Sequence, residues 1–298
     1  MGSGHAHGES GGAKNQRRLT VMLVLVAGYM VAEIIGGLLA NSLALLADAG
    51  HMFSDVVALA LSLFALWFAR RPPSPRHTYG YYRTEILAAL INGAILIAVS
   101  LYIFVEAIQR FGEPPEVQGP LMMAIAIGGL AINLVGLWLL KEGYSENLNV
   151  RAAWLSVMAD TLGSVGVLIG GGLIWAFGWN WADPAVSMII GALIIYSAWI
   201  LLRSTVAVLM ESAPENLDID EVRNAMAAVP GVKAVSDLHV WTITSGIDAL
   251  SGRVEYQDGR PRSAMLKELH DTLHDRFGIE HVTVQIEPTD FETREPTI

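Results

Sequence analysis

An imidazole and a carboxylate four residues apart, His51 and Asp55, fall on one face of a helix, and Asp48 stands three residues earlier on the same side. Further along, Asp160 follows Ser156 at the same spacing of four. Ring nitrogen and carboxylate oxygen together suit a borderline cation. Zinc takes such donors in a tetrahedron, whereas magnesium and calcium prefer shells made only of oxygen, where an imidazole is a poor choice. These donors bind metal only when deprotonated, so a bound ion expels protons. An interhelical hydrogen-bond network, with His51 and Asp55 holding two helices together, is the alternative that spacing alone leaves open.

These groups lie inside apolar runs long enough to matter. The chain has 298 residues, 53% of them hydrophobic and 16% charged, with a mean hydropathy of +0.44. About 20 apolar residues cross a bilayer as a helix. Six runs meet that length: 19–40, 43–69, 85–109, 117–140, 151–178 and 183–209. Pro72, Pro73 and Pro75 break the chain after the second run, and Pro114 and Pro115 after the third. An ionisable group at mid-depth costs roughly 2.5–3.5 kcal/mol on insertion scales, so each needs a reason. Asp55 is expected about 18 Å from one end of its helix and Asp160 about 13 Å from the opposite end of its own. Antiparallel helices would bring them together near the midplane. Glu33 in the first run is expected to pack against another helix or to face a water cavity. Glu106 and Arg110 read as a local ion pair.

Basic residues set the orientation. Lys14, Arg17 and Arg18 precede the first run, Arg70, Arg71, Arg76 and Arg83 follow the second, Lys141 and Arg151 flank the fourth connection, and Arg203 closes the sixth. The alternation places both termini in the cytoplasm. Residues 1–18, polar and carrying His5 and His7, read as a disordered leader, with no cleavage site for a signal peptide. The recurring glycines Gly36–Gly37, Gly128–Gly129, Gly163, Gly166 and Gly170–Gly172 indicate close helix packing.

The charge is segregated. From Glu211 onward there are 17 acids and 8 Lys or Arg, a net of −9, which leaves −1 of the total −10 for the rest. So acidic a tail argues against nucleic acid as a partner, and the shift marks a domain boundary near residue 210. In the tail, Asp218 can cap a helix over 219–229, 232–244 and 249–256 are β-like, 263–277 is a helix with Leu266, Leu269, Leu273 and Phe277 on one stripe, and 282–287 is a last strand stopped by Pro288. That order, αββαβ, predicts one small sheet covered by two helices. The fold class is thus an all-α six-helix transmembrane domain (19–209) followed by a small α+β domain (210–298). No cysteine is present, which excludes disulfides and thiolate ligands. No Walker-type loop or aspartyl-phosphate motif is visible, so the reading is of a carrier of divalent metal, not an enzyme.

The stretches 41–55 (NSLALLADAGHMFSD), 77–89 (HTYGYYRTEILAA), 145–151 (SENLNVR), 160–166 (DTLGSVG) and 237–242 (DLHVWT) resemble the zinc-transporting branch of the cation diffusion facilitator family, bacterial type. The likeness runs from about Arg17 to Pro288. It implies a six-span, multi-pass protein of the cell's inner or plasma membrane, a ferredoxin-like (metallochaperone-like) cytoplasmic domain, a homodimer, and export of zinc, with cadmium or cobalt as further cargo, by exchange with protons in alternating access. Zinc would be the transported ion and also a structural or regulatory one. The family's transport site is two H-x-x-x-D motifs; His51, Asp55 and Asp160 match, Asp48 would stand behind them, and Ser156 replaces the second histidine, leaving a hydroxyl or water as fourth donor. Tyr82 replaces a histidine near His77, where some members bind a second metal. Arg253 replaces one in the tail, where His239 with His281, Gln285 or Glu287 would form a weak site. His270 and His274 read as a solvated helix face. These departures motivate a second reading, a transport-impaired scaffold that senses metal or assembles with an active relative.

Overall fold

The computed structural model describes residues 6–68, 75, 78–141, 148–256 and 261–288. Along the chain lie α1 (Ala6–Ala40), α2 (Leu43–Phe68), α3 (Arg83–Gly112), α4 (Gly119–Leu140), α5 (Leu148–Phe177), α6 (Ala182–Leu209), α7 (Ile219–Ala227), β1 (Val232–Thr244), β2 (Ile247–Tyr256), α8 (Arg262–Phe277) and β3 (His281–Pro288). They fall into two compact units, Met1–Trp67 with Ala89–Leu202, and Phe68–Ala88 with Arg203–Ile298. The residues between α2 and α3 therefore group with the tail unit, which a boundary at residue 210 alone does not express.

In the first unit apolar residues face both ways. Leu43, Leu45, Met122, Ile190 and Ile194 share a buried core, while Leu38, Tyr102, Trp138 (73% exposed) and Trp175 (68%) point outward. Water would not tolerate so continuous an apolar surface, whereas hydrocarbon does. Among the described residues five helical stretches, Leu23–Ala40, Arg83–Gly112, Gly119–Leu140, Val157–Phe177 and Ala182–Leu209, are long and apolar enough to span. Phe177, Trp179 and Trp181 stack in sequence between α5 and α6, with ring centroids 5.1 and 5.6 Å apart. Such a belt suits the boundary between lipid and water.

Close helix approach rests on glycine where expected. A Cβ on Gly36 would lie 2.7 Å from Ile125, one on Gly171 2.8 Å from Met123, and one on Gly129 2.5 Å from the Tyr29 hydroxyl. At Gly166 and Gly172 nothing lies within 4 Å, so those two do not serve packing here. The leader expected to be irregular is helical from Ala6 onward. The helix is already nucleated by the apolar run behind it, and propagation into Ala, Lys, Gln and Arg is easier than initiation.

The tail unit forms a three-stranded sheet in the order β1-β2-β3, β1 antiparallel to β2 and β2 parallel to β3, with α8 making the parallel crossover. Val222 and Met226 of α7 and Met265, Leu269 and Leu273 of α8 pack on Val240, Leu250 and Val254 of the sheet. Leu266, expected on the apolar stripe, is exposed; Met265 takes its place, because 265, 269 and 273 repeat every four residues on one face. The Asp218 side chain accepts from the backbone N–H groups of Asp220 (2.9 Å) and Glu221 (3.3 Å). Asp218→Ala removes that cap, worth about 1 kcal/mol. Hydrogen exchange on the full chain should show the α7 amides opening about fivefold faster, and unchanged rates would refute the assignment.

Candidate metal site

Helix α2 carries the ring of His51 toward α5, and its Nε2 lies 3.1 Å from Oδ1 of Asp160. The Asp160 side chain is 5% exposed and that of His51 24%. Oδ1 of Asp160 is buried and makes no aligned hydrogen bond, so the pair meets in space without spending that oxygen's accepting capacity. Asp48 leans on the same neighbour. A Cβ at Gly163 of α5 would stand 3.2 Å from its Oδ1, a contact tight enough that the carboxylate would have to shift by a few tenths of an ångström. The backbones of Asp55 and Ser156 lie on α2 and α5, one turn from His51 and Asp160 respectively. Their side chains lie outside the described residues, as does all of His77. Among the described residues no group of three or more His, Asp or Glu converges on one point.

What holds α2 in place was not evident from the sequence. Asp183, fully buried at the start of α6, receives the Ser42 hydroxyl (2.6 Å) and the N–H groups of Leu43 (2.8 Å) and Ala44 (3.1 Å). Its carboxylate thus caps the N-terminus of α2, where the helix leaves donors unsatisfied and its dipole is positive. Arg110 of α3 forms the expected pair with Glu106 (2.9 Å) and also donates to the Asn41 carbonyl (2.9 Å), with Asp183 Oδ2 3.9 Å away. Asn41 has a φ of 54°, the left-handed turn that ends α1. A serine just ahead of an apolar run is the signal that could have found the cap, but its partner is 141 residues distant in sequence.

The expected tail ligands are brought together only in part. His239 Nε2 lies 2.9 Å from Asp237 Oδ1, and Arg253 Nε sits 3.0 Å from Asp237 Oδ2 and 4.0 Å from Glu287 Oε1. Gln285 donates to the same Glu287 oxygen at 2.7 Å. The guanidinium already supplies a positive charge between the two carboxylates, which opposes a second cation there. His281 stands apart, edge-on to Tyr79 at 6.4 Å. His270 and His274 are exposed; the hydrogen bond to Asp275 raises the pKa of His274, as a solvated helix face allows.

A family model for the cation efflux transmembrane domain matches residues 19–210, and one for the cytoplasmic domain of cation efflux proteins matches 214–289. The chain belongs to the cation efflux family. It is accordingly a multi-pass membrane protein of a transporter family. Among similar proteins are the metal cation efflux system protein CzcD of Cupriavidus metallidurans, 43% identical over 96% of this chain and 90% of that one, and the cadmium, cobalt and zinc/H(+)-K(+) antiporter of Bacillus subtilis, 42% identical over 95% and 92%. The zinc transporter ZitB of Escherichia coli is 44% identical over 92% and 88%. A solved metal-bound C-terminal domain of the Cupriavidus CzcD transporter is 42% identical, covers 24% of this chain and 99% of its own, and superposes with a TM-score of 0.23.

Asp183→Ala leaves the Ser42 hydroxyl and the Leu43 and Ala44 amides without their acceptor. Loss of a charged cap with three donors should lower stability by about 3 kcal/mol. Thermal unfolding of the detergent-solubilised protein checks this, and a midpoint equal to the parent's would refute it.

Proposed function

We propose that this cation efflux protein exports a divalent metal, zinc first and cadmium or cobalt after it, from the cytoplasm in exchange for protons. The observation that carries the reading is the meeting of the His51 ring and the buried Asp160 carboxylate across α2 and α5. Asp55 and Ser156, one turn away on the same two helices, complete the donor set, with the serine hydroxyl or a water in the fourth position. Nitrogen and oxygen donors favour zinc over hard cations. The imidazole must be neutral and the carboxylates ionised to hold the ion, so protons arriving from the far side displace it. That competition makes a proton gradient sufficient as the driving force. The names of the relatives, zinc transporter and antiporter of cadmium, cobalt and zinc with protons and potassium, support this cargo and this exchange.

In this reading all six long helices cross the inner or plasma membrane, both termini lie in the cytoplasm, and the chain acts as a homodimer. Its tail, ferredoxin-like, provides the dimer contact, in keeping with the cytoplasmic-domain match. Residues 1–18 form a leader ahead of the transport domain, and the tail histidines His239 and His281, with Glu287, and His77 are at most secondary metal contacts. Nothing observed favours the scaffold reading.

Zinc flux in proteoliposomes with an imposed pH gradient tests the proposal. The parent should move zinc, and Asp55→Ala and Asp160→Asn should each reduce the flux at least a hundredfold; a parent without flux would sink it. Zinc affinity should fall as pH is lowered, because protons occupy the imidazole. Ser156→His adds a nitrogen donor and should tighten zinc binding by about tenfold or more, read by titration calorimetry; unchanged binding would show that position 156 does not face the ion.

A further inference from the structure

Helix α3 outruns the hydrocarbon. Its 30 residues extend about 45 Å, against about 30 Å of apolar bilayer. The start of the helix is polar. Glu85 accepts from the hydroxyls of Thr244 (2.7 Å) and Ser245 (3.2 Å), which ties the first turn of α3 to the β1–β2 turn within the tail unit. A carboxylate so placed belongs at headgroup level, since at mid-depth it would be costly. Beside that junction, and wholly within the tail unit, is a cavity of about 730 Å³. Small-ligand sites occupy about 300–1,000 Å³. Tyr79, Tyr82 and Trp241 line it, with His239 and the Arg83–Glu211 ion pair. It forms here because His239 and Trp241 alternate with Val240 along β1, and Val240 is the one that packs with the helices. The α2–α3 connection borders the other face. Tyr79 meets His281 of β3 edge-on at 6.4 Å, and Gly80, with a φ of 74°, turns the chain between the tyrosines.

The lining is balanced in charge. Among its described residues Arg83 is the one fixed cation and Glu211 the one acid, with one guanidinium N–H on Glu211 Oε1 at 2.7 Å. A guanidinium has five donors and a carboxylate about four lone-pair sites, so this bond exhausts neither group. Both side chains are open to solvent, 42% and 59% exposed. His239 is engaged by Asp237. A ligand of one charge would be opposed by one member of the pair. A phosphate–ammonium zwitterion suits both, its phosphate oxygens on the guanidinium and its ammonium against Glu211 and the faces of the aromatic rings. Phospholipid headgroups of that kind stand at this depth, and Tyr and Trp are the rings favoured there. We propose that this cavity is a lipid site, which takes the zwitterionic headgroup of a membrane phospholipid of the ethanolamine or choline type. A bound lipid then joins β1 to the first turn of α3. The site rests on α3 crossing the bilayer and is independent of the metal-exchange reading.

Native mass spectrometry of the full-length protein released from detergent, with phosphatidylethanolamine, phosphatidylcholine or phosphatidylglycerol added at equal mole fraction, tests the site. The parent should retain one zwitterionic lipid per chain about tenfold or more over phosphatidylglycerol. Glu211→Gln leaves the lining net positive and should reverse that preference toward phosphatidylglycerol. Arg83→Gln leaves it net negative and should weaken retention of all three lipids about tenfold. A reversal from one half of the pair and a loss from the other are outcomes that a merely structural ion pair would not give. Thermal unfolding checks that each variant is folded. Where one is not, Tyr82→Leu, which keeps both charges, should weaken retention of the zwitterionic lipids about tenfold. A parent that retains the three lipids alike carries only unspecific surrounding lipid and overturns the proposal. So does a folded Glu211→Gln protein with the parent's preference. Soluble phosphoethanolamine bound as tightly as the lipid would overturn the lipid assignment. Variants that alter the fraction of dimer with lipid retention unchanged would make the cavity a contact between copies, and overturn it too.

Discussion

One buried carboxylate fixes the frame in which the membrane chemistry can occur. Asp183 opens α6, yet its oxygens terminate α2, taking the Ser42 hydroxyl and two backbone amides. A helix start inside an apolar bundle would otherwise leave several N–H groups without partners. The same turn is held from α3 by Arg110, which binds the Asn41 carbonyl. Helix α2 is thereby fixed in height and rotation at its first turn. Asp48, His51 and Asp55 follow within four turns, too short a lever for their depth to drift.

The bilayer then decides what each remaining polar group can be. In water His51 and Asp160 would be an unremarkable pair, since exposed ion pairs contribute little. In hydrocarbon an aligned partner, a proton or a metal is required, and Asp160 Oδ1 has no aligned hydrogen bond. Glycine is the means by which carboxylates reach their neighbours. Gly163 admits Asp48 to α5 and Gly129 admits Tyr29 to α4. Small residues that serve helix packing also set where charge sits.

Much of this was legible in the sequence. The ends of α2, α4 and α6 lie within two residues of the runs read from hydropathy, because span length is imposed by the bilayer. The αββαβ order of the tail followed from its turn residues. The pairing of His51 with Asp160 was expected from depth and residue type, and the two do meet. What escaped notice was tertiary. Nothing near Ser42 announces an acceptor 141 residues away. Nothing in the Leu266–Phe277 stripe reveals that Met265 is the residue turned inward. Nor does spacing show that the Arg253 guanidinium reaches both Asp237 and Glu287, since that depends on the bulge at Ser236–His239 and the left-handed Asp237 within it.

The ring stack between α5 and α6 carries a mechanical implication. Trp181 is two residues ahead of Asp183, so the three aromatic rings float the point from which α2 is suspended. Amphipathic rings prefer one level in a leaflet. A bilayer of different thickness pulls on that level, and the load passes through the capping carboxylate to the helix bearing His51. Lipid composition thus has a direct purchase on the height of His51 in the bundle, with no ligand or modification as intermediary.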